Sequence, residues 1–371
     1  MSRDATRTVG TAVGLVCLAV ALLAAILAAG GYDVPLALAA LARGAAGTPD
    51  AVWSATLVRA TPLLITGLAI TLAFRAGVLN IGAEGQLLMG AAAAAAVGLA
   101  WHGPAPLVIA SVLVAGIVAG GLWAALAALL KRRFGVLEVI STLMLNFVAQ
   151  YVLGWLVRGP MQEPTHAYPQ SATLDVTARL PIVVPGSRLH VGFVVAVVLA
   201  GVLALVLARS AAGFRVRVVG LNPRAAASAG RIDASRVAFG AFVISGALAG
   251  LAGAMEVGGV TFALYENISP GYGFSAIAVA LLARLHPLGV VATAIVFGAL
   301  EAGAVAMQRD AGVPSVVVNV VEAVLILLVV AADRRRSRRD AAQWGPDERR
   351  PGRLPRGNRA HRNAADLRGA R

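Results

Sequence analysis

The segment RSAAGFRVRVVGLNPRAAASAGRIDASR (residues 209–236) divides the chain into two long apolar halves and carries six arginines against one acid, Asp233. Nothing else between residues 134 and 331 stays as polar or as basic for so long. Chains that cross a bilayer repeatedly collect Lys and Arg in their cytoplasmic loops, so this loop is expected on the cytoplasmic side. Its middle also reads as a short helix. Asn222 can cap it, Pro223 takes the first helical position, residues 224–229 are good helix formers, and Gly230 can end it. A capped helix there suits docking to a soluble partner. An ordinary basic loop that anchors its flanking spans is the competing reading.

Composition agrees with a membrane protein. The 371 residues are 58% hydrophobic and 13% charged, with mean hydropathy +0.79, against about 25% charged residues in soluble domains. In a soluble protein a net charge of +14 would point to nucleic acid. Here the arginines cluster at the ends of apolar runs and in the tail, so no nucleic-acid partner is expected. Cys17 is the single cysteine, which excludes an internal disulfide and a cysteine-rich metal site. A phosphate-cradling loop needs Gly-Lys-Ser/Thr, and Lys131, the only lysine, precedes Arg132 instead. The chain is therefore not expected to hydrolyse ATP by that route. His102, His166, His190, His286 and His361 all fall near span ends or in loops. They offer no catalytic constellation, and no cofactor or metal is expected.

Working outward from the central loop, ten membrane spans satisfy the charges, making an all-α polytopic membrane protein. They cover about residues 11–29, 55–74, 86–101, a run reaching Leu130, 139–157, 191–208, 237–257, a short run ending at Arg284, 288–307 and 316–332. With the N-terminus inside, this count puts Arg75, Lys131 to Arg133, the central loop, Arg284 and the tail on the cytoplasmic side. Residues 31–54 form the first external loop, with a short helix near Pro35–Arg43, and the proline-rich residues 158–190 form the second. Three parts result: a cytoplasmic N-terminus (1–10), a transmembrane domain (11–332) and a basic cytoplasmic tail (333–371). The tail holds 13 Arg against 5 acids and almost no large apolar side chains, so it is expected to be disordered and to meet anionic lipid headgroups.

Two stretches break the apolar pattern. RAGVLNIGAEGQLLMGA (75–91) carries Asn80, Glu84 and Gln86 among glycines, and residues 258–289 repeat that texture with Tyr272 and Phe274. Irregular polar backbone is tolerated at membrane depth only where it is buried in protein or lines a wet cavity. The first stretch therefore reads either as a broken helix beside a transport path or as a cytoplasmic turn after Arg75. Spans 2–5 and 7–10 run in opposite directions with one such stretch each, the pattern of an inverted repeat. Asn146 and Gln150 lie one turn apart on the fifth span, where hydrogen bonding between helices outweighs substrate contact. Gly246-x-x-x-Gly250 on the seventh span marks a close-packing face. Glu301 and Glu322 are ionisable groups within spans and so functional candidates. The Asn267-Ile268-Ser269 sequon reads as chance.

Residues 60–91, EVISTLMLN (138–146), VVGLNPRAAASAG (218–230) and GYGFSAIAVALLA (271–283) resemble the permease subunits of bacterial ABC importers, in the branch that serves ribose-type sugars and nucleosides. The resemblance covers about residues 55–332, and the NIGAEGQ wording is its most distinctive part. It implies a multi-pass protein of the bacterial plasma membrane that works with cytoplasmic ATP-binding subunits, a second permease subunit and an external substrate-binding lipoprotein. It also implies that Gly220, Leu221, Asn222, Pro223, Ala225, Ala226, Ala229 and Gly230 belong to a helix that couples to the ATPase. Arg231 departs from the aliphatic residue usual there. The expected substrate is neutral and polar, met by Asn80, Glu84, Gln86, Asn146, Tyr272 and Phe274. The aromatic faces tip the choice toward a nucleoside over a sugar. The rival reading is an ion-coupled secondary carrier that uses Glu84, Glu301 or Glu322 and needs no ATPase.

Overall fold

The computed structural model describes Leu18, residues 20–230 and 232–314, and Val316, Val317 and Val320. The N-terminal ten residues, Arg231, Glu322, the basic tail and most of the tenth expected span lie outside the described residues.

The helices in chain order are α1 (Val20–Ala29), α2 (Val34–Ala46), α3 (Ala51–Arg75), α4 (Ala83–Ala100), α5 (Ala105–Phe134), α6 (Glu138–Arg158), α7 (Gly192–Arg209), α8 (Ala211–Leu221), α9 (Pro223–Gly230), α10 (Ala234–Thr261), α11 (Tyr272–Leu282) and α12 (Pro287–Ala311). Seven of them are long and apolar enough to cross a membrane: α3, α4, α5, α6, α7, α10 and α12. These answer to expected spans 2–7 and 9. The eighth is α11, whose 11 residues reach roughly 16 Å at about 1.5 Å per residue, half of a bilayer core.

Local chemistry sets the helix ends. Asp233, the one acid of the central loop, caps α10 by accepting from the Arg236 N–H at 3.0 Å. Gly135 (φ 69°) and Gly312 (φ 67°) close α5 and α12 in the left-handed region that favours glycine. Lys131, Arg132 and Arg133 fill the last turn of α5, where cations meet the negative end of the helix dipole.

The two halves exchange their contacts. α10 packs on α4 and α5, α3 packs on α11 and α12, and α3 and α10 lie against each other. Small residues make the crossings tight: a Cβ on Gly250 would meet the backbone of Gly116 and Gly120, and one on Gly90 would meet the backbone of Gly250. The Gly246-x-x-x-Gly250 face thus packs as its spacing indicates, against a matching Gly116-x-x-x-Gly120 face on α5.

The first external loop differs from expectation. Its helix, α2, is longer and lies packed on α12, with Gly44 against Ala302 and Gly303, and Ala37 and Ala40 buried. The physical reason is a small-on-small match across more than 250 residues of sequence. Residues 159–191 also fold as a compact cap. The N–H groups of Ser171, Leu174 and Leu180 donate to the carbonyls of Leu264, Phe262 and Gly258, and the Arg179 guanidinium lies 4.7 Å from the centre of the Phe262 ring. Within the cap Glu163 accepts from Gln170 Nε2 at 2.7 Å and from the Tyr168 N–H at 3.1 Å, which holds its carboxyl below the usual carboxylate range.

The opposite end gathers the basic loops. Arg75 Nε donates to the Leu285 carbonyl at 2.6 Å, Lys131 pairs with Glu138, and the Leu79 N–H reaches Glu138 at 3.4 Å.

Candidate functional site

Residues 76–82 turn back into the bundle after Arg75 instead of leaving it. Asn80 is fully buried and donates to Ser245 Oγ at 2.9 Å, and Ser245, midway along α10, donates to the Ala69 carbonyl at 2.7 Å. Asn80 and Gln86 exchange two hydrogen bonds, at 2.8 and 3.0 Å, and Asn80 also accepts from the Gly82 N–H. Asn146 accepts from the Gly85 N–H and donates to the Ile81 carbonyl, both at 2.9 Å, which ties α6 to the start of α4. The turn back is affordable because its polar groups are met within the protein.

The second irregular stretch meets the first. The Gly273 N–H, in the first turn of α11, donates to Glu84 Oε2 at 2.7 Å. A Cβ on Gly273 would strike the backbone of Ala83 and Glu84, so the two helix starts touch directly. Ser269 accepts from the N–H groups of Gly271 and Tyr272 and lies as a hydrogen-bond partner beside Glu84. One carboxyl group therefore sits between the N-termini of α4 and α11.

Of the six expected path residues, Asn80, Glu84, Gln86, Asn146 and Tyr272 are all buried, and they gather at or near this junction. Phe274 is exposed on the surface of α11. Ser245 and Ser269 complete the junction without a signal in the sequence, one as a lone serine in an apolar run, the other within a sequon. Glu256, a further buried acid near the end of α10, carries no signal in the sequence either. Glu301 is half-buried on α12.

At the basic end the capped helix is present as read. Asn222 Oδ1 accepts from the N–H groups of Arg224 and Ala225 at 3.1 and 3.0 Å, and α9 runs from Pro223 to Gly230. Its faces differ. Ala226 is 1% exposed and turned into the protein, whereas Leu221 is 86% exposed and Asn222, Pro223 and Ala225 are exposed. A Cβ on Gly220 would strike the Arg75 carbonyl, and Gly77, beside it, holds a positive φ of 76°. Leu79, Phe134, Leu137 and Phe214 are also exposed among the polar groups of this end.

The family described as branched-chain amino acid transport system / permease component matches residues 52–330. The chain belongs to that family. This permease is 39% identical over 313 residues to the guanosine ABC transporter permease protein NupP of Bacillus subtilis, covering 83% of this chain and 89% of that one. It is 38% identical over 287 residues to the glucose ABC transporter permease protein TsgB13 of Haloferax volcanii, covering 75% of each. A second Bacillus subtilis protein, the guanosine ABC transporter permease protein NupQ, is 27% identical over 66% of this chain and 78% of its own. No solved structure matches the chain significantly. The permease is a multi-pass membrane component of an ABC transporter, and ATP hydrolysis belongs to its partner subunits.

Proposed function

We propose that the permease carries nucleosides inward as one half of a hetero-pair, with its basic end and both termini in the cytoplasm. ATP-binding subunits dock on the turn between α8 and α9, and an external lipoprotein delivers substrate at the end formed by residues 159–191. The observation that carries the docking reading is Leu221, a large apolar side chain left 86% exposed beside a capped helix, where it would otherwise face water. The pair is supported by the two guanosine permease proteins of Bacillus subtilis named above. The basic tail adds an anchor on anionic lipids. The junction of Asn80, Glu84, Gln86, Asn146 and Tyr272 serves as the moving seam of transport: its hydrogen bonds hold one state of the path, and substrate passage rearranges them. The ion-coupled carrier is disfavoured, because Glu84 already meets the Gly273 N–H and the named relatives belong to ATP-driven systems.

Reconstitution with the ATPase, the second permease and the binding lipoprotein tests this directly. ATP-dependent uptake of labelled guanosine is expected, and glucose is expected not to compete with it. Glucose uptake without guanosine uptake would replace the nucleoside by a sugar. ATP-independent uptake that collapses with an ionophore would revive the carrier.

The orientation has its own check. In a Cys17→Ser background, a single cysteine at Gln170 should react with an impermeant maleimide in intact cells. One at Arg224 should react only after lysis. Labelling of both from one side would break the ten-span arrangement.

A further inference from the structure

One face of α6 does not look like the faces that meet lipid. Along the middle of α5 and α7 outward residues are aliphatic: Val114, Val118 and Leu122 on α5, and Val194, Val198 and Val202 on α7. On α6 the outward stripe at helical spacing is Phe147, Gln150, Tyr151, Trp155 and Arg158. Tyr151 is 79% exposed and Trp155 65%. An amide and a guanidinium on a bilayer face are costly, and aromatics alone would form only an interfacial belt. Here they surround a cavity of about 380 Å3 that also includes Glu266, from the segment before α11. Gly154 is its floor, and the Glu266 carboxylate lies beside it, in ordinary contact distance of the position a Cβ there would take. Arg158 Nη2 pairs with Glu266 Oε2 at 2.6 Å across the rim.

We propose that this cavity is a substrate subsite at the outer end of the path, completed by the second permease, and that it takes a flat heteroaromatic base with a hydroxylated sugar attached. The volume falls within the roughly 300–1,000 Å3 of small-molecule pockets. Tyr151 and Trp155, one turn apart, give the base aromatic faces to stack on. Gln150 offers both a donor and an acceptor for a base edge. Glu266 accepts, and Arg158 donates, toward ribose hydroxyls, and neither leaves a net charge to repel a neutral ligand. The proposal rests on the nucleoside reading above and goes beyond it by moving the recognition surface from the buried junction to α6.

The test uses the complete reconstituted transporter with guanosine, ribose and glucose as probes. Trp155→Ala and Tyr151→Ala are each expected to lower guanosine uptake about tenfold at subsaturating concentration, as loss of one base-stacking ring does elsewhere. Trp155→Phe should recover most of the uptake, and Val198→Ala on the aliphatic face of α7 should change nothing. Guanosine, but neither ribose nor glucose, should protect a cysteine placed at Gln150 from a maleimide in the Cys17→Ser background. Assembled Trp155→Ala and Tyr151→Ala transporters working within twofold of the parent would overturn the proposal. So would loss of subunit assembly in both Trp155→Ala and Trp155→Phe, which would make the rings packing contacts between the subunits instead of a surface left open to a ligand. If the parent imports glucose and not guanosine, the nucleoside reading fails first, and glucose protection at position 150 then decides whether the subsite survives for a sugar.

Discussion

Leu221→Asp is expected to uncouple the transporter almost completely while leaving the permease folded in the membrane. Leu221 contacts little within its own chain, so its replacement removes no core packing. If an ATPase groove receives it, truncating such a central apolar anchor costs about 2–4 kcal/mol, and a buried unpaired carboxylate adds to that. At about 1.4 kcal/mol per tenfold, affinity for the ATPase should fall by at least thirtyfold. Substrate-stimulated ATP hydrolysis and co-purification of the ATPase should drop together. Arg224→Gln should stay within a few-fold of the parent, because an exposed ion pair is worth about 0–1 kcal/mol. Ala226→Trp acts differently. Ala226 faces the protein interior, so a bulky side chain there overpacks the loop's own seat, at about 1–3 kcal/mol. Normal ATPase capture by Leu221→Asp would return the turn between α8 and α9 to an ordinary basic loop.

Gly250→Leu should have an even larger effect, on the protein itself. The atoms that a Cβ would meet belong to the backbone of α5, at Gly116 and Gly120, and backbone cannot swing aside as a side chain can. Overpacking costs of about 1–3 kcal/mol are measured where side chains can still adjust. Here α5 and α10 must separate along their contact, and α4 must follow because Gly90 touches the same spot. The variant is expected not to accumulate in membranes, or to aggregate on detergent extraction. Gly201→Leu on α7 is the matched control, since nothing lies within 4 Å of the position a Cβ would take. Its yield and melting temperature should equal the parent's. Equal behaviour of the two variants, read by size-exclusion chromatography after a heating series, would refute the tight crossing.

Much of the architecture was legible because membrane spans declare themselves by apolar length and by arginines at their ends. The capped helix at Asn222 was legible for a similar reason: cap, proline and glycine act within nine residues. What stayed hidden depends on partners far away in sequence. Nothing near Asn80 announces Ser245, 165 residues on, and nothing in α2 announces that Gly44 rests on Gly303. The pairing of Asn146 with Gln150 failed for a geometric reason. Four residues advance a helix by about 400°, so the two side chains differ by about 40°, enough to bury Asn146 while Gln150 faces outward. Tyr272 and Phe274 part more sharply, one buried in the junction and one exposed. Exposed aromatic rings one turn apart are found on α6, at Tyr151 and Trp155.

The reciprocal packing of the halves bears on how the protein is made. α3 leaves the ribosome early, yet the helices it packs on, α11 and α12, follow about 200 residues later. At about 5–20 residues per second, α3 waits roughly ten to forty seconds in the bilayer before its partners arrive. Through that interval its glycine and threonine positions face lipid or an insertion factor instead of protein. A chain stopped in the central loop holds one complete set of spans and one side of each crossing between the halves, so quality-control proteases should find it unfinished. Biogenesis of this permease is therefore a matter of late closure, with the last helices made deciding whether the first ones were worth keeping.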